Sequence, residues 1–141
     1  IIAMMFGGIM ERTGMLGVVV SKIVSVAKKP VSLLLATEAT CILSNIAMPE
    51  QYISIVVPGR MYAKSYKDMG LHPKTLSNAL ESSGTVSSVL VPWNTCGVYM
   101  AGVLGVSTAQ YLPYCFFNLL MPVMTILLAV VGGITLAKLE D

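Results

Sequence analysis

The sequence predicts an all-α, polytopic membrane helical bundle that contains a re-entrant helical hairpin and a discontinuous helix. Three observations carry this prediction. Hydrophobic residues make up 55% of the 141 and charged residues only 11%, so the polar covering of a soluble surface is missing. From Ser82 to Ala137 there is no Asp, Glu, Lys, Arg or His, an interval long enough for two helical crossings at about 20 apolar residues each. The basic residues Lys28, Lys29, Arg60, Lys64, Lys67, Lys74 and Lys138 stand at the ends of apolar segments, where they act as topology signals and account for the net charge of +2. A nucleic-acid surface would instead show a basic stripe with exposed aromatic residues. Cys41, Cys96 and Cys115 are scattered singly through apolar sequence, with no CxxC pair, and read as small packing residues.

Residues 1–29 read as a membrane helix or helices, interrupted at Glu11-Arg12 and ending on Lys28-Lys29. The chain starts IIAMMFGGIM, without an initiator Met or a signal-peptide pattern, and is read as a fragment. Residues 30–63 form the predicted hairpin. Lys or Arg flanks it on both sides, which places both ends on the cytoplasmic face, so the segment enters and leaves by one side. Midway, in SNIAMPEQ, Pro49 lacks an amide hydrogen and clashes with the preceding turn, which breaks the helix. The polar tip must then lie inside protein or beside a water-filled cavity, because unpaired backbone is not tolerated in lipid. Residues 64–75 carry turn chemistry at Met69-Gly70 and His72-Pro73 and are expected as a cytoplasmic loop. Residues 76–105 are expected as a broken membrane helix, since ESSGTVSSVLVPWNT combines Gly84 and Pro92 with a dense set of hydroxyls and amides. An uncharged external connection follows, and residues 114–137 form the final membrane helix, with a cytoplasmic end at Lys138.

Charged groups inside a membrane are costly, so Glu38, Glu50 and Glu81 need an explanation. Glu38 and Asn45 are seven apart and share a helix face, and Glu50 directly follows the break. Ser44, Asn45 and Glu50 would offer hydroxyl, amide and carboxylate oxygens to a hard cation such as sodium, and carbonyls freed at a helix break would add more. In the second segment Glu81, Gly84, Thr85 and Ser88 recur at i, i+3, i+4 and i+7 as one polar stripe, to which Ser83, Asn94 and Thr95 add oxygens. Blander readings exist for each: Glu38 facing cytoplasmic water, Glu50 starting a helix, Asn45 bonding between helices, and the serines allowing close packing. His72 reads as solvated, and Trp93, Tyr99, Tyr111 and Tyr114 as interface or packing residues. There is no nucleotide-binding glycine loop, metal-ligand pair or nucleophile-base arrangement, so the chain does not read as an enzyme.

QYISIVVPGRMY followed by GLHPKTLSNALESSGTVSSVLVPWNTCGVYMAGVLGVS resembles the C-terminal half of NhaC-type sodium/proton antiporters and of the related malate/lactate antiporters. The resemblance implies two inverted repeats, each with a hairpin and a broken helix, meeting at a midplane cation site, of which this chain supplies the second repeat. It assigns Asn45, Glu50, Ser83, Thr85, Asn94 and Thr95 to sodium binding or coupling; Glu38, Ser44 and Glu81 are accessory candidates from the reading of the residues themselves. Related sequences show LSRTLEDSGT where this chain has LSNALESSGT, so Asn78 and Ser82 replace a basic and an acidic residue.

The expected function is secondary active exchange of sodium for protons across the cytoplasmic membrane by alternating access, with Glu50 as the carboxylate that sodium and protons share. An organic-acid antiporter of the malate/lactate kind is the first alternative, and a non-transporting membrane subunit the second. No cofactor is expected beyond the transported sodium and protons. The expected partners are the lipid bilayer, the N-terminal half of the same protein, a second copy in a homodimer and, on the alternative reading, a small organic acid; nucleic acid is not among them. A cation site built from both breaks requires SNIAMPEQ and ESSGTVSSVLVPWNT to approach within about 10 Å, the reach of side chains around a directly coordinated ion.

Overall fold

The computed structural model describes Ile9, Thr13, Gly14, Val18 and residues 29–131. The helices expected over 1–29, the end of the final span beyond residue 131, and Lys138 lie outside the described residues.

Among the described residues every regular element is helical, in keeping with the all-α class. Helix α1, Pro30–Ala47, starts with proline in its first turn, where the missing N–H is no loss. It stops because Met48, preceding Pro49, is forced into extended backbone at φ −111° and ψ 135°. Helix α2, Gln51–Asp68, then folds back along α1. Thr37 Oγ1 meets the Tyr66 hydroxyl at 3.1 Å and Thr40 Oγ1 meets the Tyr62 hydroxyl at 2.8 Å, so pairings rise on one helix as they fall on the other, and the two arms run antiparallel. The Pro49 turn is at one end of this helical pair, with Lys29, Lys64 and Lys67 toward the other, all exposed.

The loop expected over 64–75 is confined to its middle. Helix α2 continues to Asp68 and helix α3, Pro73–Leu80, begins five residues later, leaving a short turn with Gly70 at φ 67°. Tyr62 and Tyr66, four apart, extend the buried face of α2 while Lys64 and Lys67 project outward, so amphipathic periodicity carries the helix through the charged residues. His72 caps α3, its Nδ1 accepting from the Lys74 N–H at 3.1 Å.

From α3 the chain passes without a loop into a π-helical turn, Glu81–Thr85, and then a 3-10 turn, Ser88–Leu90. After a non-helical stretch it enters α4, Thr95–Leu104, which closes on Gly105 in the left-handed region. A short helix α5, Thr108–Tyr111, with a capping box between Ser107 and Gln110, and a 3-10 turn, Leu112–Tyr114, lead into α6, Phe116–Val130, which is bent 55° from them. The π-turn changes which residues share a face. A π-turn is wider than an α-turn, and Glu81 is exposed and Thr85 half-buried, whereas Ser82, Ser83, Gly84, Ser87 and Ser88 are buried. The stripe of Glu81, Gly84, Thr85 and Ser88 expected from α-helical spacing is therefore not formed.

Helix α1 is the centre of the described fold, packed by α2, α3, the π-turn and α6. Leu33, Ala36, Tyr62, Tyr66, Leu71 and Leu76 form one apolar cluster, and Leu34, Ala79 and Ala129 a second. Among the described residues, Pro30–Ala47, with mean hydropathy 1.4, is long and apolar enough to cross a membrane, and the bent pair ending in α6 passes the same test if taken as one span.

Candidate functional site

The last turn of a helix leaves carbonyls without intrahelical partners, and at the end of α1 the second interrupted segment supplies them. The Thr95 N–H donates to the Pro49 carbonyl at 2.8 Å. The Asn94 amide donates to the carbonyls of Asn45 and Met48, each at 3.4 Å, while its Oδ1 caps α4 by accepting from the Cys96 N–H at 3.1 Å. Trp93 Nε1 donates to the Ile46 carbonyl at 2.7 Å. The two interruptions, far apart in sequence, are thus in direct contact.

Asn45 is fully buried and works in the opposite direction, across to the π-turn. Its Nδ2 donates to the Gly84 carbonyl at 2.6 Å and to Ser87 Oγ at 2.9 Å. The carbonyl accepts only, so it fixes which end of the amide faces it and turns Oδ1 the other way. Close approach here needs Gly84: a Cβ would meet Ile55 Cγ1 at 3.0 Å and Cys41 Cβ at 3.6 Å.

Two of the oxygens at this end of α1 are buried without a hydrogen-bond partner, Asn45 Oδ1 and Ser44 Oγ; the third such atom among the described residues is Glu38 Oε2, two turns earlier. An unpaired buried polar atom costs roughly 1–3 kcal/mol, so these positions call for a function. Among the described residues no group of three or more His, Cys, Asp and Glu could hold a metal ion. Whatever cation came to this place would meet amide, hydroxyl and carbonyl oxygens at the C-terminal end of α1, the negative end of the helix dipole.

The remaining candidates fall in different surroundings. Glu50 is half-buried at the start of α2, without a side-chain capping bond. Ser83 is buried and donates back to the Ala79 carbonyl at 2.6 Å. Thr85 and Thr95 line a cavity of about 800 Å³ that Gln51, Ser88, Tyr111 and Asn118 also border, with no charged side chain in its wall. Glu38 is enclosed rather than solvated, at 2% exposure, and Ser82 Oγ donates to its Oε1 at 3.3 Å. Sequence reasoning passed over Gln51, whose Nε2 donates to the Thr85 carbonyl at 3.2 Å and whose Oε1 accepts from Cys96 Sγ at 3.0 Å. Its place just after a helix break was the available signal. It also set Ser87 aside as packing and Trp93 as an interface residue.

The chain resembles a group of transport proteins over nearly its whole length. It is 35% identical to the Na+/H+ antiporter NhaC of Alkalihalophilus pseudofirmus over 93% of this chain and 28% of that protein. It is 35% identical to the arginine/ornithine antiporter ArcD of Halobacterium salinarum over 92% of this chain and 27% of that protein. The malate-2H+/Na+-lactate antiporter of Bacillus subtilis is likewise 35% identical, over 92% of this chain and 27% of its own length. The chain therefore spans little more than a quarter of these relatives. No solved structure matches it. The profile of the Na+/H+ antiporter family matches residues 1–133, and the chain belongs to that family.

Proposed function

We propose that this chain forms part of a secondary transporter that exchanges sodium for protons across the cell membrane by alternating access, and that it contributes the oxygens at the end of α1 to the sodium site. One observation carries this reading: Ser44 Oγ and Asn45 Oδ1, adjacent in sequence and both buried, have no partner among the described residues, beside a junction of two interrupted segments. Sodium prefers hard oxygen ligands, and discontinuous helices at mid-membrane depth serve this purpose in secondary transporters. On this reading the α1–α2 hairpin is re-entrant, and the segment from α3 through α4 is a broken membrane helix. The opposing repeat comes from the rest of a longer protein, which works singly or as a homodimer. The exposed apolar side chains of α4 and α6, among them Val98, Val103, Phe117 and Leu120, then face lipid or that other repeat.

The clean test is Ser44→Ala. Since Ser44 Oγ has no partner to lose, the full-length variant reconstituted in vesicles should fold with unchanged or slightly higher thermal stability. The loss of one ligand worth about 1.4 kcal/mol would raise its KM for sodium about tenfold. A variant with the wild-type sodium KM removes Ser44 from the site. Exchange of an organic solute is the second reading, favoured by the cavity of about 800 Å³, larger than an ion needs. Its uncharged wall offers a carboxylate no cationic partner, which is why sodium is placed first. Uptake of labelled malate, lactate or arginine by the same vesicles separates the two.

A further inference from the structure

Among the described residues Glu38 is the one acidic side chain that the protein encloses; Glu50 is half-buried, and Asp68 and Glu81 are exposed. Its Oε1 accepts from Ser82, and its Oε2 has no partner among the described residues. The titratable groups that face it are Cys41 on its own helix and Tyr66 on α2, with Tyr62 beyond. Both tyrosine hydroxyls are engaged, with Thr37 and Thr40. From the π-turn it meets Ser82, and α6 carries no titratable residue. Among the described residues no cation is enclosed beside it: Lys29, Arg60, Lys64, Lys67 and Lys74 are all exposed. An enclosed carboxylate without a cationic partner is stable when it carries a proton and costly when it does not.

Asn45 lies seven residues further along α1, about 10 Å at 1.5 Å per residue. An ion held at Ser44 and Asn45 would therefore not touch Glu38. The two positions are nevertheless joined through one element. Ser82, at the start of the π-turn, bonds Glu38, and the Gly84 carbonyl, two residues later, accepts the Asn45 amide. Ser82 Oγ also points to the Ala79 carbonyl at 3.3 Å, the same length as its bond to Glu38, so its hydrogen is shared between two acceptors.

We propose that Glu38 is the proton-binding carboxylate of the exchange, separate from the sodium ligands, and that the π-turn Glu81–Thr85 couples the two sites through Ser82 and Gly84. This rests on the sodium reading given above. When Glu38 is ionised, Ser82 donates to it. When a proton from water adds to the carboxylate, the Ser82 hydrogen is released to Ala79, and the turn reseats against Asn45. Single-turn π-insertions occur frequently at functional sites. Glu50 then has no part in carrying the proton.

The test uses the purified full-length protein, with sodium binding followed by calorimetry as a function of pH and transport followed in sealed vesicles. In the wild type the apparent sodium affinity should fall by up to about tenfold per pH unit of acidification, the limit for one competing proton. Glu38→Gln should make the affinity independent of pH and abolish proton-driven sodium uptake, while sodium/sodium exchange continues. Ser82→Ala should displace the pH midpoint and flatten the pH dependence of sodium affinity, and Glu38→Asp should restore a pH dependence at a displaced midpoint. Wild-type pH dependence in Glu38→Gln overturns the proposal. So does a folded Glu38→Gln protein that has lost sodium/sodium exchange, since Glu38 would then belong to the sodium site. If Glu38→Gln fails to fold, Glu38→Asp with an unmoved midpoint overturns it in the same way. Should the wild type itself exchange no sodium, the sodium reading fails instead, and the two failures are distinguishable.

Discussion

Gly97 shows how tightly the junction is built at the scale of one residue. It lies in the first turn of α4, and a Cβ there would collide with the carbonyl oxygen of Val91 and crowd Pro92, both backbone neighbours that cannot swing aside. Replacing it with alanine must move the turn that carries Trp93 and Asn94, and with it the bonds to the end of α1. Gly97→Ala should therefore destabilise the full-length protein by about 1–3 kcal/mol, the usual cost of overpacking. Gly102, in the same helix, has open space at the Cβ position, and Gly102→Ala should be neutral or stabilising, because alanine is favoured over glycine inside a helix by about 0.5–1 kcal/mol. Thermal denaturation of both variants in detergent checks the contrast, and equal melting temperatures would mean that the close approach is not maintained in solution.

At the scale of the element, the α1–α2 pair is fastened by hydroxyls as well as by apolar packing. Thr37 and Thr40 each donate to the carbonyl four residues earlier, at 2.9 and 2.7 Å, and so present their oxygens to Tyr66 and Tyr62 on the facing helix. The rungs are one helical turn apart and both buried, where a hydrogen bond is not diluted by water. Tyr66→Phe and Tyr62→Phe should each lower stability by about 1 kcal/mol, with Tyr62 the more sensitive because its hydroxyl also reaches the Ala36 carbonyl at 3.2 Å. Since the rungs lie away from Ser44 and Asn45, the sodium KM should hardly change. A large rise in KM with unchanged stability would place the tyrosines in the transport pathway instead.

At the scale of the whole molecule, the antiparallel arms place Lys29, Lys64 and Lys67 together, opposite the Pro49 turn. Positive charge is retained on the cytoplasmic side of membrane proteins, so we expect this end of the pair to face inward and the uncharged connection around Gln110 outward. In a background lacking Cys41, Cys96 and Cys115, Lys67→Cys should react with an impermeant thiol reagent only from the cytoplasmic side and Gln110→Cys only from outside. Labelling of Gln110→Cys solely from the cytoplasm would reverse the orientation and leave the hairpin entering from the other face.

The helical class, the break at Pro49 and the polar character of both interruptions were legible in the sequence because each depends on local chemistry: mean hydropathy, a missing amide hydrogen, a run of hydroxyl and amide side chains. The family was legible too, since PGRMY and ESSGTVSSVLVPWNTC are long enough to be specific. Local chemistry marked the turn at Met69-Gly70 but misled on its extent over 64–75, because the buried Tyr62 and Tyr66 keep α2 helical to Asp68. It misled again over Glu81–Thr85, because a π-turn differs from an α-turn only in which carbonyl accepts each N–H, and no composition encodes that choice. Tertiary structure alone decided which acid is enclosed. Glu38 stands nine residues after Lys29 and Glu50 directly follows the Pro49 break, but α2, α3, the π-turn and α6 all pack against α1, while the start of α2 stays partly open. Burial is a property of the neighbours that surround a side chain, and those neighbours come from parts of the chain that no local pattern brings together.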